Sequence, residues 1–243
     1  MEETVRALRE ALQRAKSVAA LTGAGISAES GIPTFRGPGG LRRNYRPHEL
    51  ATPEAFARDP RLVWEWYDWR RGLIAQAQPN PGHLALVELE RRVASRRGSF
   101  TLVTQNVDGL HERAGSRNIA KLHGDIWRVR CGDCGREERN EQVPLANLPP
   151  RCGCGGLFRP GVVWFGEMLP EDEWRRAFEA SRSAEIFLVV GTSAVVYPAA
   201  GLIEVAQSAG ARVAIINAEP TPIDAGADWV LEGQAGQNLP RLL

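Results

Sequence analysis

The stretch from Val18 to Gly37, VAALTGAGISAESGIPTFRG, decides the fold class of this chain. Its first four residues are apolar and predict a buried β-strand, which leads directly into Gly23-Ala24-Gly25-Ile26-Ser27-Ala28. This is a glycine-rich strand-to-helix turn, in which backbone N–H groups and a helix N-terminus approach a pyrophosphate. Such glycines also occur in turns that bind nothing, so the pattern alone leaves nucleotide binding and a plain tight turn open.

The residues after this turn differ from those of a dehydrogenase. A dehydrogenase continues into a second strand that ends in a ribose-binding acidic residue about 20 positions downstream. Here the chain breaks at Gly31 and Pro33, and the first acidic residue after Arg36 is Glu49. The sequence therefore predicts a dinucleotide site that is not built for ordinary hydride transfer.

The hydrophobic pattern predicts an α/β fold, a doubly wound parallel sheet of the Rossmann-like kind. Apolar strands at Phe100–Thr104, Ile186–Val190, Ala211–Ile216 and Asp228–Leu231 alternate with helical segments such as Pro198–Ala209, which is typical of parallel sheets. We expect one domain in three parts. These are a Rossmann-like core (1–33, 81–123 and 161–243), a helical segment with a cofactor loop (34–80) and an inserted zinc-binding module (124–160).

The first half of the chain carries signals for four helices. Helical spacing and proline or threonine start signals define them. The predicted helices are an N-terminal one that buries Val5, Leu8, Leu12 and Ala15, a short one capped by Thr52, one from Pro60 to Gln76 that buries Leu62, Trp66, Trp69 and Leu73, and one from Pro81 to Ala94.

Composition restricts the class of protein. The chain has 243 residues, of which 43% are hydrophobic, so it can bury a full core. Its net charge of +1 gives no sign of a polyanion-binding tail. The N-terminal segment is acidic from its second residue, unlike a signal peptide. We expect a cytoplasmic protein with no membrane segment and no direct nucleic-acid binding, and the sequence leaves the oligomeric state open.

All four cysteines lie in the inserted module. Cys131 and Cys134 form a C-x-x-C pair, and Cys152 and Cys154 follow after 17 intervening residues. Two close thiolate pairs suit tetrahedral zinc, and four protein ligands would make the metal structural rather than catalytic. Two disulfides are the alternative, which a cytosolic chain disfavours. The mixed charges of the module favour a scaffold over a nucleic-acid-binding finger.

His123 is the candidate general base. It ends the strand-like segment Ile119–Leu122 and precedes Gly124. Residues at the carboxyl ends of parallel strands line the ligand crevice, and a histidine pKa of about 6.5 suits proton transfer at neutral pH. We expect His83 to be a surface or helix-capping residue and His111 to make a structural hydrogen bond.

Motifs along the chain resemble those of the sirtuin family. Gly23 to Arg36 resembles the signature GAG-I/V-S-x-x-S-G-I/V-P-x-F-R, and Thr104 to His111 with Leu122-His123-Gly124 resembles the T-Q-N-x-D-x-L-H and H-G motifs. Gly161 to Glu167 resembles the family's substrate-backbone loop. Because further matches continue in collinear order, the chain is identified as a member of the sirtuins, which are NAD-dependent protein-lysine deacylases.

The resemblance implies a site for NAD as co-substrate. Transfer of the acyl group to ADP-ribose would release nicotinamide and O-acyl-ADP-ribose, with His123 and Asn106 as catalytic residues. Phe35 would shield the reactive face and Arg36 would order the loop. The residues implied in NAD binding are Gly23, Ala24, Gly25, Ser27, Ile32, Thr34, Phe35, Arg36, Gln105, Asn106, Asp108, Gly191, Thr192, Ser193, Asn217, Glu219 and Ala235.

The resemblance also implies a substrate site and a zinc module. An acylated lysine peptide would add as a strand between two segments, Val163–Glu167 and Val195-Val196. In the first segment, the implied substrate contacts are Val163, Phe165, Gly166 and Glu167. The family has a four-cysteine zinc module at this place, commonly with C-x-x-C for both pairs. Here the second pair is C-x-C.

Tyr67 and Arg70 bear on the acyl group that is removed. They lie three residues apart in a predicted helix, and resemble the Y-x-x-R pair of sirtuins that act on succinyl and malonyl groups. Ala51 matches a position that leaves room for a longer acyl chain. A plain helix surface, with Trp66, Trp69 and Leu73 packed inward and Arg70 and Arg71 in solvent, is the alternative.

Two other functions share part of this pattern. An NAD-dependent oxidoreductase would have the glycine-rich turn but needs a ribose-binding acidic residue. A non-catalytic, zinc-stabilised binding module would not need the polar Gln105–Asp108 segment beside His123.

Overall fold

A computed structural model of the protein describes residues 1–34 and 47–243. It contains nine strands in this part of the chain: β1 (Ser17–Thr22), β2 (Ser99–Thr104), β3 (Ile119–Lys121), β4 (Gly124–Cys131), β5 (Glu137–Arg139), β6 (Phe158–Val162), β7 (Ile186–Val190), β8 (Arg212–Asn217) and β9 (Trp229–Glu232).

Six of these strands form one parallel sheet in the order β3-β2-β1-β7-β8-β9. Counted along the chain without the small sheet, this is the strand order 3-2-1-4-5-6 of a doubly wound fold. The predicted fold class is therefore confirmed. The order reverses between β1 and β7, and in such folds ligands bind outside the carboxyl ends of the strands at this point.

The helices in the described part of the chain are α1 (Glu2–Arg14), α2 (Gly25–Ala28), α3 (Pro47–Leu50), α4 (Pro53–Arg58), α5 (Pro60–Gln76), α6 (Pro81–Ser95), α7 (Leu110–Ala114), α8 (Glu171–Ser183), α9 (Gly201–Ser208) and α10 (Ala235–Asn238). Short 3-10 turns cover Asp224–Gly226 and Leu239–Leu242. Among residues 1–34 and 47–243, no helix is long and apolar enough to span a lipid bilayer.

Helices cover both faces of the parallel sheet. Leu188 of β7 points into a core shared with α1 and α6, whereas the next residue, Val189, points into a core shared with α8 and α9. This alternation buries both faces, which explains why the strands are apolar throughout. All five residues of β7 are buried.

The small sheet has the antiparallel order β5-β4-β6 and carries the four cysteines near one end. Its inner face shares a third apolar cluster with α4 and α5. The Trp64 indole N–H donates to the Phe158 carbonyl oxygen at 2.7 Å and joins α5 to β6. The helical segment and the small sheet thus pack as a second layer beside the parallel sheet.

Most predicted helices are confirmed, including the cap of α4, where the Thr52 hydroxyl accepts from the Ala55 N–H at 3.1 Å. Helix α9 begins at Gly201 rather than Pro198, because residues 197–200 form a turn. Helix α8 lacks a clear signal in the sequence, since it buries little apolar surface: Ala177 and Ser181 are its buried residues.

The predicted buried face of α5 is confirmed for Trp66 and wrong for the other three residues. Leu62, Trp69 and Leu73 are half-buried, whereas the buried residues are Val63, Trp64, Trp66, Tyr67, Arg70, Arg71 and Ile74. Helix α5 is enclosed by the small sheet and its neighbours, so its buried face is wide and includes two arginines. The alternative with Arg70 and Arg71 in solvent is therefore excluded.

Candidate functional site

Two glycine turns meet where the strand order reverses. The Gly25 N–H donates to the Gly191 carbonyl oxygen at 2.7 Å, and the Gly23 N–H donates to the Val190 carbonyl oxygen at 3.1 Å. A Cβ atom on Gly23 would lie 2.7 Å from the Thr192 Cβ atom, and one on Gly25 would lie 2.7 Å from the Gly191 oxygen. Packing between the turns therefore already requires these glycines, whether or not a phosphate approaches them.

A buried polar network lies beside this turn and joins Ser27, Asn106 and Asp108. The Ser27 hydroxyl donates to the Asp108 carboxylate at 2.8 Å, and the Asn106 side-chain amide donates to the Gly23 carbonyl oxygen at 3.0 Å and the Ser27 hydroxyl at 3.3 Å. Burial raises the pKa of the Asp108 carboxyl, although bonds from Leu110 N–H and Ser27 act in the opposite direction. The structure thus brings together three of the residues that the family resemblance implies in NAD binding.

Two buried histidines lie beneath this network. His83 Nδ1 accepts from the Asn80 backbone N–H at 3.3 Å, so the expected helix cap is present, but the side chain is buried rather than at the surface. His111 Nε2 lies 3.0 Å from the Thr22 hydroxyl oxygen. Burial lowers the pKa of His83 to about 4 and that of His111 well below its usual value. Both rings are therefore neutral at pH 7.

His123 lies in the turn between β3 and β4, directly before Gly124. Its Nδ1 atom lies 3.1 Å from the Gln105 carbonyl oxygen, and its own carbonyl oxygen accepts from the Val163 N–H at 2.9 Å. Burial lowers the pKa of His123, an effect that the bond to Gln105 partly offsets. The predicted base is thus held between the polar segment after β2 and the loop after β6.

The four cysteines form one compact cluster. Their sulfur atoms all lie within 4.8 Å of one another, with Cys131 and Cys154 3.5 Å apart and Cys134 and Cys152 3.7 Å apart. Zinc–sulfur bonds of about 2.3 Å in a tetrahedron give sulfur separations of about 3.8 Å, so the cluster fits a structural zinc ion. No disulfide bond links any of these four cysteines. The C-x-C pair therefore reaches the same centre as the C-x-x-C pair.

The small sheet also contacts the polar network through Trp127 of β4. The Trp127 indole N–H donates to the Asp108 carbonyl oxygen at 2.9 Å. The Arg71 guanidinium lies 5.2 Å from the Trp127 ring and donates to Asn140. The cysteine module therefore supports the backbone of a predicted cofactor residue.

Tyr67 and Arg70 lie close together on the buried face of α5. Tyr67 is 2% exposed and Arg70 is 6% exposed, and the Arg70 guanidinium lies 5.9 Å from the Tyr67 ring and 4.9 Å from the Trp66 ring. Arg70 is also close enough to Asp108 for the carboxylate to raise the pKa of Arg70, although burial lowers it more strongly. The pair thus lies close to Asp108 and its polar network.

The loop after β6 is hydrogen-bonded to Tyr67 and to the segment that precedes α4. The Phe165 N–H donates to the Ala51 carbonyl oxygen at 2.9 Å, and the Trp164 indole N–H donates to the Tyr67 hydroxyl oxygen at 3.0 Å. The Glu167 carboxylate accepts from the Trp164 backbone N–H and from both terminal nitrogens of Arg159. Ala51, Tyr67 and the predicted peptide loop therefore form one unit, with Phe165 and Gly166 exposed.

The other predicted cofactor residues are spread along the same edge of the sheet. The Gln105 side-chain amide donates to the Thr192 hydroxyl at 3.2 Å, and the Asn217 amide donates to the Glu219 carbonyl oxygen at 2.7 Å. Ala235 and Ile32 are buried, and Thr34 and Ser193 are half-buried. Phe35 and Arg36 lie outside the described residues.

Three residues of the site carry no prediction from the sequence: Trp127, Arg159 and Trp164. Trp164 lies inside the motif Gly161 to Glu167, and Trp127 lies close to His123 in the sequence. Their proximity to these motifs indicates a place in the site. The bonds from Trp164 to Tyr67 and from Trp127 to Asp108 span 97 and 19 residues, and no local pattern reveals such contacts.

The comparisons with known proteins agree with this geometry. The sequence model of the Sir2 family matches residues 23–198. An NAD-dependent protein deacylase of Aquifex aeolicus is 57% identical over 93% of both chains. A Sir2 homologue solved in complex with NAD is 49% identical with a TM-score of 0.91, covering 98% of this chain and 91% of that one.

A second solved structure contains a peptide. Sir2 in complex with a p53 peptide and NAD is 33% identical to this chain with a TM-score of 0.87, covering 98% of this chain and 96% of the other. The relatives in both comparisons thus extend over almost the whole chain, and the similarity is not limited to the nucleotide-binding turn. The chain belongs to the Sir2 family, the sirtuins.

Proposed function

We propose that this Sir2-family enzyme, an NAD-dependent protein deacylase, removes acidic acyl groups such as succinyl and malonyl from lysine as well as acetyl. The observation that carries the activity on acidic acyl groups is the burial of Arg70 beside Tyr67, next to a cluster of apolar side chains. The names of the relatives support NAD-dependent deacylation itself, since these relatives are described as NAD-dependent protein deacylases.

The predicted NAD residues are arranged so that they could hold the dinucleotide. NAD supplies the ribose that accepts the acyl group and nicotinamide as the leaving group. In our proposal the turns at Gly23–Gly25 and Gly191–Ser193 bind the phosphates, and Ser27, Asn106 and Asp108 line the nicotinamide pocket. The hydrogen bonds among these three side chains support a pocket of fixed shape.

His123 is the proposed general base. Its neutral Nε2 atom would take a proton from a ribose hydroxyl, because Nδ1 donates to Gln105 and is not basic. Asn106 is proposed to act beside it, from the segment that follows β2. Both residues lie at the carboxyl edge of the sheet, where the fold binds its ligand.

The proposed peptide site is the loop from Val163 to Glu167. Its backbone is tied to His123 and Ala51 by two hydrogen bonds, which would keep an added peptide strand close to the base. The solved relative with a p53 peptide supports a protein substrate. Recognition through main-chain hydrogen bonds predicts weak dependence on the sequence around the lysine.

The acyl pocket favours a carboxylate for electrostatic reasons. A guanidinium can bind a carboxylate in a bidentate manner, and such charge-assisted hydrogen bonds are stronger than those between neutral groups. Burial raises the pKa of Tyr67 to about 12, so its hydroxyl keeps its hydrogen at neutral pH and can donate. A planar cation and a phenol donor together match the end of a succinyl or malonyl chain.

The test compares one peptide carrying acetyl-, succinyl- or malonyl-lysine, with the unmodified peptide as control. Nicotinamide release should depend on the acylated peptide, and kcat/KM for succinyl-lysine should at least equal that for acetyl-lysine. Turnover of acetyl-lysine alone would overturn the acyl assignment. NADH formation would indicate an oxidoreductase, and the absence of NAD turnover a binding module.

A further inference from the structure

Trp164 makes a hydrogen bond that fixes the direction of the Tyr67 hydroxyl. The indole nitrogen has a hydrogen and no lone pair to offer, so the Tyr67 oxygen must be the acceptor at 3.0 Å. The hydroxyl hydrogen then points away from Trp164. Both side chains are buried, with exposures of 3% and 2%.

That hydroxyl hydrogen has no acceptor in the described part of the chain. Among residues 1–34 and 47–243, the hydrogen-bond partner of the Tyr67 hydroxyl is the Trp164 indole N–H. This bond uses a lone pair of the Tyr67 oxygen and leaves its hydrogen unbonded. Buried O–H groups are nearly always satisfied by protein, water or ligand. A ligand acceptor beside Arg70 would satisfy this one.

The Trp164 ring is itself held in place. The Arg159 guanidinium stacks 3.6 Å from the ring centroid, and the Phe56 ring lies 5.4 Å away at a tilt of 43°. Glu167 binds Arg159 through both carboxylate oxygens, at 2.5 and 2.8 Å, and accepts from the Trp164 backbone N–H at 2.8 Å. The indole N–H is therefore aimed by a closed set of contacts.

The charge on Glu167 sustains this arrangement. Burial would raise the pKa of Glu167, but the bonds from Arg159 and from the Trp164 N–H outweigh it, and the net effect is a lowered pKa. The carboxylate therefore remains ionised and keeps Arg159 against the ring. Its contribution to peptide binding is indirect, because its oxygens are engaged within the loop.

We propose that Trp164 is a positioning residue for acidic acyl groups, which directs the Tyr67 hydroxyl hydrogen at the carboxylate of the acyl chain. This inference rests on the acyl preference proposed above. It extends the recognition of the acyl group from α5 to the loop that also holds the peptide, so that the two substrate-binding elements are linked through one hydrogen bond.

The experiment is a double-mutant cycle of Trp164→Phe and Tyr67→Phe, measured with succinyl- and acetyl-lysine versions of one peptide. Trp164→Phe removes the indole N–H and keeps an aromatic ring. We expect KM for the succinyl peptide to rise about three- to tenfold, with kcat within about twofold and a much smaller change for the acetyl peptide. The double variant should be no worse than Tyr67→Phe alone, because Trp164 acts through the Tyr67 hydroxyl, which Tyr67→Phe already removes.

Trp64→Phe is the matched control, since it also removes a buried indole N–H from this cluster, one that donates to Phe158 instead. It should lower Tm without changing the succinyl-to-acetyl ratio of kcat/KM. If Trp164→Phe does not fold, Arg159→Gln serves in its place, because it removes the stacked cation and should shift the same ratio in the same direction.

Additive losses in the cycle, or equal losses on both peptides, would overturn the role of Trp164. So would a Trp64→Phe variant that shifts the ratio as much as Trp164→Phe does. If Tyr67→Phe leaves the ratio unchanged, the proposed acyl pocket itself is wrong, and this result is distinct from a failure of Trp164→Phe alone.

Discussion

The Nδ1 atom of His123 lies 3.1 Å from the backbone carbonyl oxygen of Gln105. A carbonyl oxygen only accepts, so Nδ1 carries the hydrogen and Nε2 is the basic nitrogen of the neutral ring. Because burial lowers the pKa of His123, the ring is neutral at pH 7. The turn after β3 therefore holds the neutral His123 ring in one tautomer, with Nε2 as its basic nitrogen.

Replacing this base should abolish turnover but not NAD binding. In His123→Ala we expect kcat to fall by about 10²–10⁴-fold, since a general base acts on the barrier rather than on ground-state affinity. Single-turnover kinetics and NAD titration by calorimetry measure the two effects separately. A variant that keeps more than about a tenth of the wild-type kcat would contradict this role.

Acid should destabilise the protein through His83. The folded-state pKa of His83 is lowered to about 4 by burial, below an unfolded value of about 6.5. The unfolded state therefore binds more protons between these values, and the stability contributed by the neutral ring is present above pH 6.5 and lost as the pH falls toward 4.

Urea unfolding of wild type and His83→Gln at pH 7.5 and pH 5 measures this contribution. The glutamine can still accept from Asn80 but does not titrate. From pH 7.5 to pH 5, the variant should therefore lose about 2 kcal/mol less unfolding free energy than the wild type. The comparison between variants cancels the carboxylates common to both. The same pH dependence in the two proteins would show that His83 does not titrate as described.

The sequence was sufficient for the sheet but not for the surroundings of α5. Continuous apolar strands between helices define a doubly wound sheet from local patterns alone. Helix α5 is enclosed on several sides, so the apolar stripe through Leu62 and Trp69 did not mark its buried face. Hydropathy also cannot anticipate the burial of Arg70 and Arg71, which depends on rings and carbonyls supplied by distant segments.

The glycine-rich turn shows a second limit of sequence reasoning. The sequence leaves phosphate binding and a plain tight turn open for Gly23 and Gly25, and the structure shows that contact with the turn at Gly191 requires both glycines. Contacts across the sheet join residues more than 160 positions apart, which no local motif encodes. The link between Tyr67 and Trp164 is hidden for the same reason, with a separation of 97 residues.

Loss of either thiolate of the C-x-C pair should remove zinc and lower stability together. Zinc binding is coupled to folding, so Cys152→Ser and Cys154→Ser should each reduce zinc content well below one per chain and lower Tm. Arg136→Ser is the matched control, since this exposed side chain lies beside the cluster and contacts Glu138 instead. Stoichiometric zinc in either cysteine variant would mean that the second ligand pair is misassigned.

The most direct test of the acyl pocket is the effect of Arg70→Met on succinyl- and acetyl-lysine versions of one peptide. Loss of a charge-assisted hydrogen bond to a carboxylate corresponds to about a 10- to 100-fold lower kcat/KM for the succinyl peptide. The acetyl peptide should retain most of its rate. Arg61→Met, on the exposed face of the same helix, should change neither. An equal loss on both peptides, or no loss on either, would remove Arg70 from the acyl site and contradict the proposed preference.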